Sequence, residues 1–174
     1  QNVVNYWTHE RMAAARPLDT DAADDLAQER PAAAEGDGDS SSSTDPAGMT
    51  EPVAPAADGG ATLPARAKGK LFFNGYEADN AYCSASVLNT PSKSVVITAA
   101  HCVYSSKKGW AKNAVFVPDY DRTQADPDPV GVWTARSMRT FDSWRADQAD
   151  YRNDVAYVTL NDGGDANKPV VDVV

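Results

Sequence analysis

Ser94-Val95-Val96-Ile97-Thr98-Ala99-Ala100-His101-Cys102 is the stretch on which the reading of this chain turns. Four β-branched residues in a row, Val95 to Thr98, favour a short extended strand over a helix. With Ser94 they read as a strand buried on both faces. Two alanines follow, small enough for the backbone to turn tightly, and residues 99–104 are expected to form one helical turn. The turn delivers His101. With an ordinary pKa of about 6.5, a histidine held in place can take and return a proton near neutral pH. A lone histidine in a β protein is more often a plain core or surface residue, so the rest of the chain has to decide.

Working outward, residues 70–76 read as a strand running into a turn, and residues 81–88 alternate small and apolar side chains around Cys83. Downstream, residues 114–118 form a strand stopped by Pro118. Residues 119–129 are an acidic, proline-punctuated surface loop, and residues 130–139 alternate around Val132, Trp133 and Met138. A short helix is expected over 141–148 with Asp142 as its N-cap. Residues 154–160 make the last clear strand, a glycine-containing turn follows at 162–167, and residues 170–174 begin a further element. About six strands at short spacing argue for a small antiparallel barrel or sandwich. Tyr104 and Trp133 are expected to pack in or near it, and Lys107, Lys108 and Trp110 to lie in a solvated loop.

Thr98-Ala99-Ala100-His101-Cys102 resembles the histidine signature of the trypsin/chymotrypsin-like serine peptidases. Asn153-Asp154-Val155-Ala156-Tyr157-Val158-Thr159-Leu160, roughly fifty residues further on, resembles the aspartate motif of the same family, in its His-then-Asp order. Such an aspartate accepts the Nδ1–H of the base, fixes its tautomer and stabilises the imidazolium. An aspartate at the start of a strand is common by itself, and Asp150 is a local competitor, but it precedes the apolar alternation. The resemblance implies His101 as general base and then general acid, Asp154 as its orienting carboxylate, and no metal or organic cofactor. Cys83 and Cys102 are the two cysteines. An even count suits either one disulfide or two buried thiols; the resemblance implies the disulfide, and with it a secreted, extracellular protein.

The family's nucleophile is a serine in a Gly-x-Ser-Gly turn well after the aspartate, and no serine follows Ser143. Ser84 and Ser86 sit on a strand without the glycine-rich turn that supplies paired N–H donors to an oxyanion. Residues 69–174 are therefore expected to be the first barrel of a two-barrel chymotrypsin-like fold. The second barrel, with its serine and specificity pocket, would be a partner outside these residues. The lone barrel is expected to self-associate through its uncovered apolar face.

The remainder is a leader. Residues 1–16 carry Val3, Val4, Tyr6 and Trp7, then Thr8 as a candidate N-cap for one or two helical turns over 10–16. A helix this short needs a surface to dock on. The Tyr-Trp-Thr-x-Glu-Arg-Met pattern resembles the pro-region of actinobacterial secreted peptidases of the V8-like, Glu-specific group. His9-Glu10 is no zinc motif, since Ala13 stands where a second histidine is needed, and His9 reads as solvated. Residues 17–68 are rich in Ala, Asp, Pro, Gly and Ser, with too little apolar surface to fold, apart from a transient helix over 22–30. They read as a disordered linker, a connector cut during maturation with Arg66 and Lys68 as candidate sites. The leader to residue 68 carries a net −7 of the chain's −9, leaving −2 for the rest. No basic patch suggests nucleic acid, and no apolar run spans a bilayer.

These residues thus predict an all-β fold, a six-stranded antiparallel barrel behind a largely disordered leader. They predict a secreted serine endopeptidase acting on protein or peptide substrates, with zymogen-like organisation. The alternative from another class is a half-protease or secreted β-domain that binds a partner without cleaving it.

Overall fold

The computed structural model describes residues 2–18, 66–74, 80–149 and 151–174. The helix expected over 22–30, most of the 17–68 linker and Asp150 lie outside them. The strands are β1 (Arg16–Pro17), β2 (Lys68–Asn74), β3 (Ala81–Leu88), β4 (Val95–Thr98), β5 (Tyr104–Ser105), β6 (Gly109–Trp110), β7 (Lys112–Pro118), β8 (Trp133–Thr140) and β9 (Ala156–Leu160). Antiparallel pairing runs β3-β2-β7-β8-β9-β4, and β4 pairs back onto β3. Six strands therefore close into an antiparallel barrel of the chymotrypsin-like kind. Closure leaves one face of every strand pointing into a common interior. Leu71, Phe73, Cys83, Val96, Phe116, Trp133, Val158 and Leu160 fill it.

The end of the barrel is shut by a tight approach. Gly164 has φ +65°, and a Cβ there would lie 2.4 Å from the Trp133 ring. Only glycine fits both the backbone and the space. The Trp133 indole N–H donates to the Lys168 carbonyl at 2.8 Å, so the turn over 162–167 is strapped across the ring.

Two expectations about local structure need correction. β4 is not buried on both faces: Val96 and Thr98 are buried, while Val95 and Ile97 are only partly so. The strands with double burial are β2 and β7, where Leu71, Phe72, Phe73, Val115, Phe116 and Val117 are all fully buried. Second, the short helix α3 (Asp142–Ala146) begins at Asp142, and Phe141, without any side-chain hydrogen bond, is its N-cap. Phe141 is extended, and its carbonyl already accepts from Arg145 N–H at 3.2 Å, so the helix is closed one residue earlier than the aspartate reading required.

The inner covering of β2 and β7 is the core; the outer covering is the N-terminal segment. Helices α1 (Val3–Tyr6) and α2 (His9–Ala14) lie on it, with Asn2 and Thr8 as side-chain N-caps. Trp7, Met12 and Ala15 are buried with Phe72, Val115 and Val117 in a second apolar cluster. Beyond α2, β1 adds to β3 in parallel, Arg16 opposite Ala81 and Pro17 opposite Tyr82.

Candidate active site

The register of three strands brings the site together. Thr98, the last residue of β4, pairs with Ala156, the first of β9. A residue just past the end of β4 and one just before β9 must then meet at the same end of the antiparallel pair. Those residues are His101 and Asp154. On the other side of β4, β3 pairs with it through Ser86 and Ile97. Cys83, three residues back along β3, thereby comes level with the turn after β4.

The turn is a 3-10 helix over Ala100–Cys102. Ala100 and Cys102 are fully buried, so the small side chains let the backbone press against the barrel while the imidazole projects from it. Cys102 is bridged to Cys83 with a Cα–Cα distance of 6.2 Å. Thr98 adds a polar tie, its hydroxyl donating to the Ser84 carbonyl at 2.8 Å.

Asp154 follows a 3-10 turn over Tyr151–Asn153 and grips His101 at two points. Its Oδ1 accepts from the His101 backbone N–H at 2.8 Å, and its Oδ2 lies 2.6 Å from Nδ1. The side chains are 23% and 13% exposed, so the pair is sheltered, and His101 Nε2 itself is buried. Burial pushes the carboxyl pKa up. Hydrogen bonds from the His101 ring and backbone, the charge of the ring, and the Ala100 backbone N–H outweigh it, holding Asp154 below the usual carboxylate value. An ionised Asp154 can only accept, so Nδ1 carries the proton in the neutral ring and Nε2 is its basic nitrogen.

A second layer was not legible in the sequence. β5 and β6 form a hairpin after the histidine turn, with Tyr104 and Trp110 edge-to-face at 5.1 Å. Gln148 clamps this hairpin to the segment after α3: its Oε1 accepts from Ser106 N–H at 3.0 Å and its Nε2 donates to the Tyr104 carbonyl at 3.2 Å. Arg145 lies over the Tyr104 ring at 5.5 Å. Trp110 thus belongs to a short strand rather than a loop, and a lone glutamine in a polar run gave no hint of its clamp.

The serines next to Cys83 are placed elsewhere. Cys83 and Ala85 face the barrel interior, so by strand alternation Ser84 and Ser86 face outward. The Ser84 hydroxyl accepts from Lys70 Nζ at 3.1 Å. Among the described residues, the three metal-type ligands found together are Cys83, His101 and Cys102. Both sulfurs are consumed by the disulfide, which removes the thiolates that would bind zinc. No helix among the described residues is long and apolar enough to cross a membrane.

No family model matches this sequence, and neither does any curated protein. Solved structures do. The protease Anisep from Arthrobacter nicotinovorans is 29% identical with a TM-score of 0.54, over 65% of this chain and 48% of its own. The thermostable serine protease AL20 from an extremophilic microorganism is 29% identical with a TM-score of 0.52, over 61% of this chain and 46% of its own. A Glu endopeptidase shares the fold at 12% identity and a TM-score of 0.50, over 64% of this chain and 44% of its own. The chain spans about half the length of these structures. Its structural neighbours are serine proteases of the trypsin/chymotrypsin fold, and its barrel is built as theirs is.

Proposed function

We propose that this chain is the His- and Asp-bearing part of a secreted serine endopeptidase that hydrolyses peptide bonds in proteins or peptides. The observation that carries the reading is the two-point grip of Asp154 on His101. It supports a mechanism in which a serine hydroxyl attacks the scissile carbonyl carbon while its proton passes to His101 Nε2. Asp154 stabilises the imidazolium so formed, which returns the proton to the leaving amine. Water then attacks the acyl-serine with His101 again as base, releasing acid and free serine.

In this reading the serine, the oxyanion hole and the specificity pocket come from a second barrel following residue 174. Phe141, Tyr151 and Tyr157 support a partner there. They lie in the segments on either side of Asp154 and are 48%, 45% and 39% exposed, although large and aromatic. The Tyr-Trp-Thr-x-Glu-Arg-Met leader supports the V8-like group and a glutamate preference. The disulfide supports an oxidising, extracellular compartment.

Fluorophosphonate labelling read by intact mass tests the proposal, since the probe modifies only an activated serine. The 174-residue chain is expected to give no adduct. A protein continued past Val174 is expected to give one adduct, lost on heat denaturation and in His101→Ala. A stoichiometric adduct on the 174-residue chain would place the nucleophile within it, with Ser84 and Ser86 the first positions to map. A continued protein that neither labels nor cleaves peptides would favour the binding domain instead.

A further inference from the structure

The outer wall of β2 and β7 is built as a binding site, and its occupant is already seated. Phe72, Val115 and Val117 point away from the barrel interior yet are fully buried, because Trp7, Met12 and Ala15 cover them. Trp7 lies tilted against Phe72 with ring centroids 5.5 Å apart. Phe72 is further boxed by Tyr82 and Tyr120 at 5.7 and 4.9 Å. Single-point anchors fix the register. The Trp7 indole N–H donates to the Asn113 carbonyl at 2.6 Å, and Asn113 takes the left-handed φ of 50°. The Tyr6 hydroxyl donates to Asn80 Oδ1 at 2.8 Å, and His9 Nε2 meets Asp128 Oδ1 at the same distance. Backbone bonds finish the seat, Arg16 N–H to Asn80 carbonyl at 3.1 Å and Leu18 N–H to Tyr82 carbonyl at 3.0 Å.

A central aromatic anchor in a desolvated pocket with polar contacts around it is the anatomy of a peptide interface. Its place in the ring of strands matters as much. In the order β3-β2-β7-β8-β9-β4, β2 stands opposite β9, and β7 opposite β4. The segment therefore sits across the barrel from His101 and Asp154, and none of the contacts named above reaches them. The barrel side of any cut is also marked. The Ala67 carbonyl accepts from Val87 N–H and the Lys68 carbonyl from Asp119 N–H, each at 2.8 Å. A protease needs locally unfolded chain, so Lys68–Gly69 is protected and a cut falls at Arg66 or before it.

We propose that residues 2–18 are a separable subunit of the folded molecule: when the link through residues 19–65 is cut, the segment stays on the β2–β7 wall as a second, non-covalent chain. It acts there as a brace on the fold and does not block the His101–Asp154 site. The proposal stands apart from the catalytic reading, because none of the contacts it is argued from involves that pair.

The test uses the full 174-residue chain with a site-specific protease sequence inserted at the serine run 40–43. After cutting, native mass spectrometry and gel filtration are expected to show both fragments together at one to one, with a melting temperature close to the uncut protein. Release of the N-terminal fragment into the low-mass fraction would overturn the proposal. A two-to-two species would overturn it in favour of segments exchanged between copies. Trp7→Ala is expected to release the fragment after cutting. Trp7→Phe, which keeps a ring but loses the bond to Asn113, is expected to weaken retention at least tenfold while the uncut protein stays folded. Equal retention in both variants would show that the Trp7 seat is not what binds.

Discussion

The two opposite walls of this barrel are held by opposite kinds of chemistry. At the β4–β9 end, a sheltered histidine–aspartate hydrogen bond, a disulfide and a threonine hydroxyl fix one imidazole to within a hydrogen bond's tolerance. On the β2–β7 wall, rings and methyl groups exclude water over a broad patch, with a few polar bonds setting register. The first arrangement is narrow and directional, as the proposed chemistry requires. The second is broad and tolerant, so it serves cohesion. A barrel with both can lose the pair without unfolding, or loosen without losing the geometry of the pair.

The sharpest way to break this contrast is to exchange the effects. Asp154→Asn in a protein continued past residue 174 should lower kcat by about 10⁴-fold, as expected when the base is left in the wrong tautomer, with the barrel still folded. Peptide hydrolysis and circular dichroism on the same sample check both halves. Trp7→Ala should do the reverse. A buried Trp replaced by Ala costs about 3–5 kcal/mol, read as a lower urea midpoint in the 174-residue chain. The continued protein should keep its kcat under conditions where it remains folded. A large fall in kcat from Trp7→Ala would dissolve the distinction between the walls.

Smaller effects sharpen it. Replacing Cys83 and Cys102 together by alanine opens a loop with a sequence separation of 19. The expected loss is about 3 kcal/mol, again by urea titration. The Asp154 carboxylate adds a pH signature. Asp154 titrates lower in the folded chain than in the unfolded one, where a carboxyl sits at about 3.9. Its contribution is therefore complete above about pH 4 and is lost as pH falls through the lower, folded value. The stability gap between wild type and Asp154→Asn should narrow on acidification through that range, and a gap independent of pH would count against the pairing. Least of all, His9→Ala should change stability by under about 1 kcal/mol, because the His9 side chain is 60% exposed and its pair with Asp128 is screened.

The same two walls differ in how far they could be read from residues alone. The meeting of His101 and Asp154 is legible because each lies in a short motif beside a strand, and antiparallel order fixes where the motifs meet. The wall under the leader left a weaker mark. Leu71-Phe72-Phe73 and Val115-Phe116-Val117 are unbroken apolar runs, and a strand exposed on one side alternates instead. Those runs announce double burial without naming what lies on the far side. Nothing local announced α1 either: Val3 and Val4 are β-branched, and the turn forms because Asn2 caps it and the barrel receives it. Asp142 misled for the converse reason. It has the right chemistry for a cap, but Phe141 already supplies the first helical carbonyl.

The two-residue strand β1 has a consequence for the molecule's company. β4 pairs with β3 only from Ser86 onward, so the first part of β3 turns a row of backbone groups away from β2, and β1 occupies them. An uncovered stretch of strand backbone is a template for pairing with any other extended chain. Arg16 to Leu18 thus fill that template: stripped of them, the seam beside Asn80 to Tyr82 is expected to offer other extended chains a place to pair.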